Sequence, residues 1–473
     1  MNNEVSSPTA VLLDSISSLD LHCVPEQVRE KAKDLLLDHL GVSLYGATLP
    51  RIRIVRYNAE AEASRPECTL YGGMRVSARA AAQVNATAGH AIELDDTHDE
   101  SLSHPGCVVI PAALAIAESI GACGAVFLAG VIGGYEAQCR IGATVGEELY
   151  KRGFHPTAQC GVFGAAAAAG RILGLPIKNF NSAFGIGASM ASGTMKFTQD
   201  PEGTMVKRLH AGIAAEHGVL AAQLAFRGFS GPREAIEGAY GFAQLFAGKC
   251  DVARMTRDLG REFEIERISV KLYPCCRLFH ALIEAIGECR AETRFAANEV
   301  MEIRAFGPRS MIDGHMERRP LSEMAAQYSL PYTAAIATLS DAADPASFGI
   351  SMMTRPDILA LVDKVQGEAN SSLEKHYPRK LPAAVRFRMR DGHEIERTVL
   401  DSRSTPVNPI SRDDIQAKFL SLTSALLVPR EQEQVIEAVM NIDRAETVGQ
   451  LTGFLREIAE RNAASFGVAA RPN

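Results

Sequence analysis

Apolar residues recur at helical spacing through most of the first half of the chain. Val28 to Leu44 carries them three and four apart, and Ala80 to Ala91 is rich in alanine, the strongest helix former. Val108 to Ile120, Val126 to Val145, Ala158 to Leu173 and Ile213 to Phe226 repeat the pattern. Several of these segments have small residues on more than one face, as in the run from Gly164 through five alanines to Gly170. Such helices suit a close-packed helical body, because neighbouring backbones can approach.

Near Arg267 the period changes. Ile268 to Leu272 reads as a strand, and Pro274 is expected to open a helix running to about Cys289. Glu299 to Phe306 reads as a second strand. Ala384 to Leu400 alternates around Asp391-Gly392, which predicts a hairpin. After Asp401 helical spacing returns, with Ser411 capping a run from Arg412 and amphipathic segments to about Ala464. The expected fold is mainly α: a large all-helical domain built from both chain ends (1–266 and 404–473), with a smaller α+β lid domain inserted at 267–403.

Composition narrows the partners. The chain is 47% hydrophobic and 22% charged, enough for a buried core. A net charge of −7 without a basic stripe argues against a nucleic-acid partner. Uninterrupted apolar stretches of membrane-spanning length are absent, and MNNEVSSPTA has no secretory pattern. The ten cysteines are scattered apart from the adjacent Cys275-Cys276, and no CxxC spacing occurs. A cytoplasmic protein with reduced thiols is expected.

The candidate chemistry concentrates in HAIELDDTHDESLSHPGCVVIP, from His90 to Pro111. These 22 residues hold three histidines and five acids, Glu93, Asp95, Asp96, Asp99 and Glu100. Proline favours the first helical position, so His104-Pro105-Gly106 places an imidazole at a helix start, beside free N–H groups that prefer anions. His155-Pro156-Thr157 repeats the arrangement, and two such starts can aim both rings into one cavity. Lys207-Arg208-Leu209-His210 offers a cationic pair able to clamp a carboxylate, or a solvated basic turn. Lys271, Cys276, Arg277 and His280 flank Tyr273-Pro274, where packing alone is the alternative. Tyr332, in Ser329-Leu-Pro-Tyr332, supplies a phenol that either acts as an acid or packs. Gly185-Ile-Gly187 lacks the third glycine and flanking strand of a dinucleotide site. Asp95, Asp96, His98 and His104 are able metal ligands without a familiar ligand spacing, so a metal-free acid/base site is expected ahead of a metal hydrolase.

Four motifs carry a resemblance: GHAIELDDTHDESLSHPG, GFHPTAQCGVFGAAAAAGRILGL, VKRLHAGIAAEHGVLAA, and VKLYPCCRLFHALIEA followed by QYSLPY. In this order the chain resembles the MmgE/PrpD family, which includes 2-methylcitrate dehydratase, cis-aconitate decarboxylase and iminodisuccinate epimerase. The resemblance implies a homodimer with a helical domain and a lid, the active site between them, and chemistry without metal, flavin or nucleotide cofactor. It places site residues at Glu93, Asp96, Thr97, His104, His155, Lys207, Lys271 and Tyr332. Three departures set the chain apart from the decarboxylase branch: Glu93 for an aspartate, a Thr97-to-His104 loop one residue longer, and Cys276 for a histidine. Proton transfer beside a carboxylate needs cations to hold carboxylates and acid/base groups that move the proton. Lys207 and Lys271, with Arg208 or Arg277, suit the first role. His104, His155 and Tyr332 suit the second, while Asp96 and Thr97 orient neighbours. The implied activity is a cofactor-independent lyase, a dehydratase or decarboxylase, acting on a small di- or tricarboxylate. An epimerase or isomerase shares the same proton abstraction, and a non-catalytic carboxylate-binding protein is the reading outside enzymes.

Overall fold

The computed structural model describes residues 7–200, 203–248 and 250–467. The fold is mainly α. Helices Ala78–Gly89, Gly106–Ile120, Gly124–Lys151, Pro156–Ile172 and Val206–Phe226 pack on one another in the body. The small residues noted in the sequence allow this. A Cβ on Gly218 would lie 2.3 Å from the Ala165 Cβ, so the Val206–Phe226 and Pro156–Ile172 backbones approach as only glycine permits. The chain end rejoins the body through Arg412–Thr423, which packs along Glu26–Ala47. There Lys418 Nζ pairs with the buried Asp38 at 2.6 Å.

Two large apolar clusters result. One runs from Leu12 to Val270 and is completed by Ile415 to Phe466. The other is built from Cys275 to Val399. The second contains a four-stranded sheet in the order Val365–Ala369, Val300–Gly307, Ala383–Met389, Glu394–Val399. The expected hairpin is present, with Gly392 at φ +87° in its turn and Arg386 opposite Glu396. Val365–Ala369 pairs parallel to Val300–Gly307; Val365, Gly367 and Ala369 share one face, but only Val365 is large and buried, so the alternation was too weak to announce it. Helices His280–Thr293 and Leu330–Leu339 join the strands in this cluster.

The structure corrects the sequence expectation at two junctions that set the site. The strand expected over Ile268 to Leu272 is confined to Ile268–Ser269, and it pairs with Thr97–His98 of the acidic loop. Beyond it, Val270 N–H turns to Ser404 O at 3.1 Å, which ends the ladder and leaves Lys271 free to face the loop. The helix expected from Pro274 starts only at His280, after a 3-10 turn at Arg277–Phe279. Cys276 is extended (φ −54°, ψ 133°) and donates its N–H to Gln327 O at 2.9 Å, which a helix would forbid. Among the described residues all ten cysteines are free, and no helix is long and apolar enough to cross a membrane.

Candidate active site

Glu93 is the centre of a buried cluster of opposite charge. It is a non-glycine residue in the left-handed region, at φ +56°, a conformation that costs free energy and is held by its surroundings. The bend directs its carboxylate to Lys207 and Arg208, on the first turn of Val206–Phe226, and to Lys271 Nζ at 3.0 Å. Tyr328 Oη receives a hydrogen bond from Lys207 Nζ at 2.8 Å and donates to Glu93 at 3.4 Å. Arg208 also donates to Gln327 Oε1 at 2.8 Å, and Gln327 Nε2 donates back to Ile92 O at 3.0 Å. All three cations are buried, at 1%, 4% and 1% exposure for Lys207, Arg208 and Lys271.

The charges explain one another. Burial alone would raise the Glu93 carboxyl, yet Lys207, Lys271 and Arg208 together hold it well below the usual range. For Lys207 burial wins: it lowers the ammonium to about 8 against the attraction of Glu93, with Arg208 and Lys271 adding repulsion. Burial also pushes Lys271 down, but Glu93 and Asp95 outweigh it and leave the group raised. Three cations surround a single carboxylate, so the cluster carries surplus positive charge suited to further carboxylates.

Beside it lie the histidines. Asp95 Oδ2 sits 2.7 Å from His90 Nδ1 and 3.2 Å from His104 Nδ1. His104 Nδ1 is also 3.0 Å from Asp96 O. Two acceptors at Nδ1 fix a proton there, so His104 Nε2 is the nitrogen left for chemistry. Burial would raise the Asp95 carboxyl, but His104 and His90 keep it well below its usual range. Burial drives His90 down to about 4, so it is neutral.

The two His-Pro starts are tied together. His104 N–H donates to Thr157 Oγ1 at 3.1 Å, and the His155 ring stacks on His90 with centroids 5.9 Å apart. Helix Pro156–Ile172 begins with His155 as its cap, as its sequence implies. The other starts one residue later than expected, at Gly106 with Pro105 as the cap. Gly106 leaves room for Asp96, which accepts from Gly106 N–H at 2.8 Å and from Tyr135 Oη at 2.6 Å. Burial raises Asp96 to about 7 in spite of these bonds.

The structure thus brings Glu93, His104, His155, Lys207 and Lys271 together, with Asp96 bracing the loop. Cys276 is buried close enough to Lys271 and Glu93 for their charges to act on its thiol, which burial raises. Thr97 points elsewhere: its Oγ1 donates to Asp99 at 3.3 Å, in the short strand facing Ser269. Arg277 donates to Ser402 Oγ at 2.8 Å. His280 is buried against the Tyr273 ring, at 5.2 Å, with both ring nitrogens unpartnered among the described residues. Tyr332 does not join the cluster. Its hydroxyl donates to Ser347 O at 2.8 Å inside the second apolar core. The phenol at the cluster is Tyr328, four residues earlier in the same QYSLPY motif. Arg208 joins Lys207 as the sequence allowed, and Asp95, weighed there only as a metal ligand, holds the imidazoles instead. His90, Gln327 and His210 are further members to which sequence reasoning gave no role.

Among the described residues, two groups have metal-ligand geometry: His90, Asp95 and Cys107, and His98, Glu100 and Glu264. In the second, Arg254 bonds both Glu100 at 2.7 Å and Glu264 at 2.7 Å, so a cation already neutralises these acids. In the first, the Asp95 oxygen facing His90 is shared with His104.

Comparison with known proteins matches both halves of the chain to one family. The model of the MmgE/PrpD N-terminal domain matches residues 11–255, and that of the MmgE/PrpD C-terminal domain matches 273–444. Cis-aconitate decarboxylase of Aspergillus terreus is 28% identical, with 96% of this chain and 97% of that protein aligned. The cis-aconitate decarboxylase-like protein oryM of Aspergillus oryzae is 28% identical over 94% of this chain and 97% of its own. Human cis-aconitate decarboxylase is 26% identical over 96% and 95%.

Proposed function

Because the chain belongs to the MmgE/PrpD family and is an enzyme of lyase type, we propose that it decarboxylates or dehydrates a small di- or tricarboxylate without a metal, flavin or nucleotide. The observation that carries this reading is the convergence of Lys207, Arg208 and Lys271 on one buried carboxylate, beside imidazoles held by Asp95, with the His104 backbone N–H tied to Thr157. The cations take the substrate carboxylates and stabilise the charge that develops on the adjacent carbon. His104 Nε2 and His155 move the proton, and Tyr328 orients the ammonium of Lys207. Asp96 fixes the loop through Gly106 and Tyr135.

Cis-aconitate, the compound in the names of the relatives, is the first substrate to test. Glu93 and Cys276, which differ from the decarboxylase branch, border the same cations, so other di- and tricarboxylates belong beside it. The division into a helical body and a 267–403 lid, a homodimeric assembly and a cytoplasmic location form part of the same proposal. The two separate apolar cores support the first.

The test is purified protein on a panel of di- and tricarboxylates, followed for CO2 release, water loss or addition, and exchange of the α-proton in D2O. CO2 or water release that disappears in folded His104→Ala and Lys207→Ala variants is expected. Proton exchange alone, without release, would make the enzyme an epimerase. Full turnover in both variants would overturn the site.

A further inference from the structure

His155 does not end at the active site. Its Nδ1 lies 3.0 Å from Nδ1 of His210, with ring centroids 5.1 Å apart and planes tilted by 41°. His210 stands on the first turns of Val206–Phe226, three residues beyond Lys207, and is half-buried where His155 is almost fully buried. Phe197 seals the pair from the side, with its centroid 5.6 Å from His155 and 5.7 Å from His210. His155 N–H is anchored to Gly193 O at 3.1 Å, and the same glycine lies against His210.

An Nδ1-to-Nδ1 contact of this length requires one proton between the two rings. Both imidazoles are kept neutral: burial comes first for each, and the nearby Lys207 ammonium adds to it, taking His210 down to about 4 and His155 well below its usual value. In a neutral pair one ring donates from Nδ1 and the other accepts there. Each ring therefore keeps its Nε2 for a second partner, on a buried residue in His155 and a half-buried one in His210. This differs from His104, whose Nδ1 is committed to Asp95 and to Asp96 O.

We propose that His210 is the solvent end of a proton relay through His155. The inference rests on the placement of His155 at the substrate given above. In a decarboxylation, the C–C bond breaks to release CO2 and leaves its electron pair on carbon. His155 gives its Nε2 proton to that carbon, takes the shared proton from His210 Nδ1, and His210 Nε2 takes one from water. One solvent proton is consumed and both rings stay neutral, with their tautomers inverted. After product leaves, water returns a proton to His155 Nε2, the shared proton moves back to His210 Nδ1 and His210 Nε2 releases its own, which restores the starting pair. The consumed proton thus enters through a path walled by Phe197, and Lys207 can keep its charge for the carboxylates.

His210 acts through His155, so its test needs a readout that packing would not move. Wild type, His155→Ala and His210→Ala are compared on the first carboxylate of the panel that wild type turns over. His210→Ala is expected to lose about 10-fold or more in kcat with KM little changed. Added imidazole should restore it in a concentration-dependent way and leave wild type unaffected. A His210→Ala enzyme with full, buffer-independent turnover beside a dead His155→Ala overturns the relay alone. Full turnover in both variants overturns the site reading as well. A substrate-free measurement covers a variant that fails to fold or a panel with no turnover. In 15N-histidine-labelled wild type, His155 and His210 should share one Nδ1 proton, and finding both rings protonated only at Nε2 overturns the proposal.

Discussion

Asp95 Oδ2 lies 3.2 Å from His104 Nδ1, and the same oxygen lies 2.7 Å from His90 Nδ1. One carboxylate therefore sets the tautomer of two rings and stabilises a proton that reaches His104 Nε2. Asp95→Asn keeps the shape and removes the charge. An amide can present its N–H to the imidazoles and reverse their tautomers, which in a comparable carboxylate–histidine pair costs about 10⁴ in kcat. The expected result is a loss of ~10³-fold or more in kcat with a small change in KM, measured on protein whose circular dichroism matches wild type.

Gly106 explains why the His-Pro-Gly start ends in glycine. A Cβ there would lie 2.6 Å from Asp96 Oδ2 and 2.6 Å from Tyr135 Oη, inside the hydrogen bond that holds the loop. Gly106→Ala forces Asp96 or Tyr135 to move, at a cost of about 1–3 kcal/mol for an overpacked site. Thermal unfolding should shift down, and turnover should fall with it because His104 is two residues away. An unchanged Tm would show that the loop yields freely.

Local patterns were legible in the sequence, and long-range convergence was not. The helices and the Asp391-Gly392 hairpin follow from spacing and turn chemistry carried within each segment. Both His-Pro starts were legible for the same reason. The pairing of Thr97 with Ser269 was not, because two-residue strands have no period to read, yet that pairing brings Lys271 to Glu93. Tyr328 closes the short helix Glu323–Gln327 and Tyr332 lies in the next, Leu330–Leu339, with the extended Ser329 between them, and only packing decides which faces the cations and which faces Ser347. His210 stood in view beside Lys207-Arg208, but its meaning depends on a ring 55 residues earlier. The strand Val365–Ala369 has only one large apolar side chain, Val365, on its inward face, too little to read as a period.

Lys207 gives the site a pH dependence of known sign. Burial lowers its ammonium from 10.5 to about 8, so it is charged below that pH and loses its charge as pH rises through it. Carboxylate binding that uses this charge should weaken over the same interval. KM is expected to rise on the alkaline side of about pH 8, and Lys207→Met should show a high KM at every pH without that rise. The proton's effect on stability has the opposite sense. Because the folded value lies below the unfolded one, the charged form costs stability fully below about pH 8, and the cost fades toward pH 10.5. A KM that stays flat from pH 7 to 9.5 would remove Lys207 from binding.

The two tyrosines separate the cluster from the core beside it. Tyr328 Oη touches both Lys207 and Glu93, whereas Tyr332 Oη donates to Ser347 O with its ring against Phe348 at 5.9 Å. Tyr328→Phe removes a partner from a charged, buried ammonium, a loss of about 1.5–3 kcal/mol where it acts. That corresponds to ~10- to 100-fold in kcat/KM, together with a loss of stability because the ammonium is buried in the free enzyme as well. Tyr332→Phe leaves Ser347 O without its donor and should lower stability by about 1 kcal/mol with kcat/KM within two-fold of wild type. Steady-state kinetics and denaturant unfolding on both proteins decide the assignment. The reverse outcome, activity lost in Tyr332→Phe and kept in Tyr328→Phe, would mean that the second core rearranges during catalysis to bring Tyr332 to the substrate.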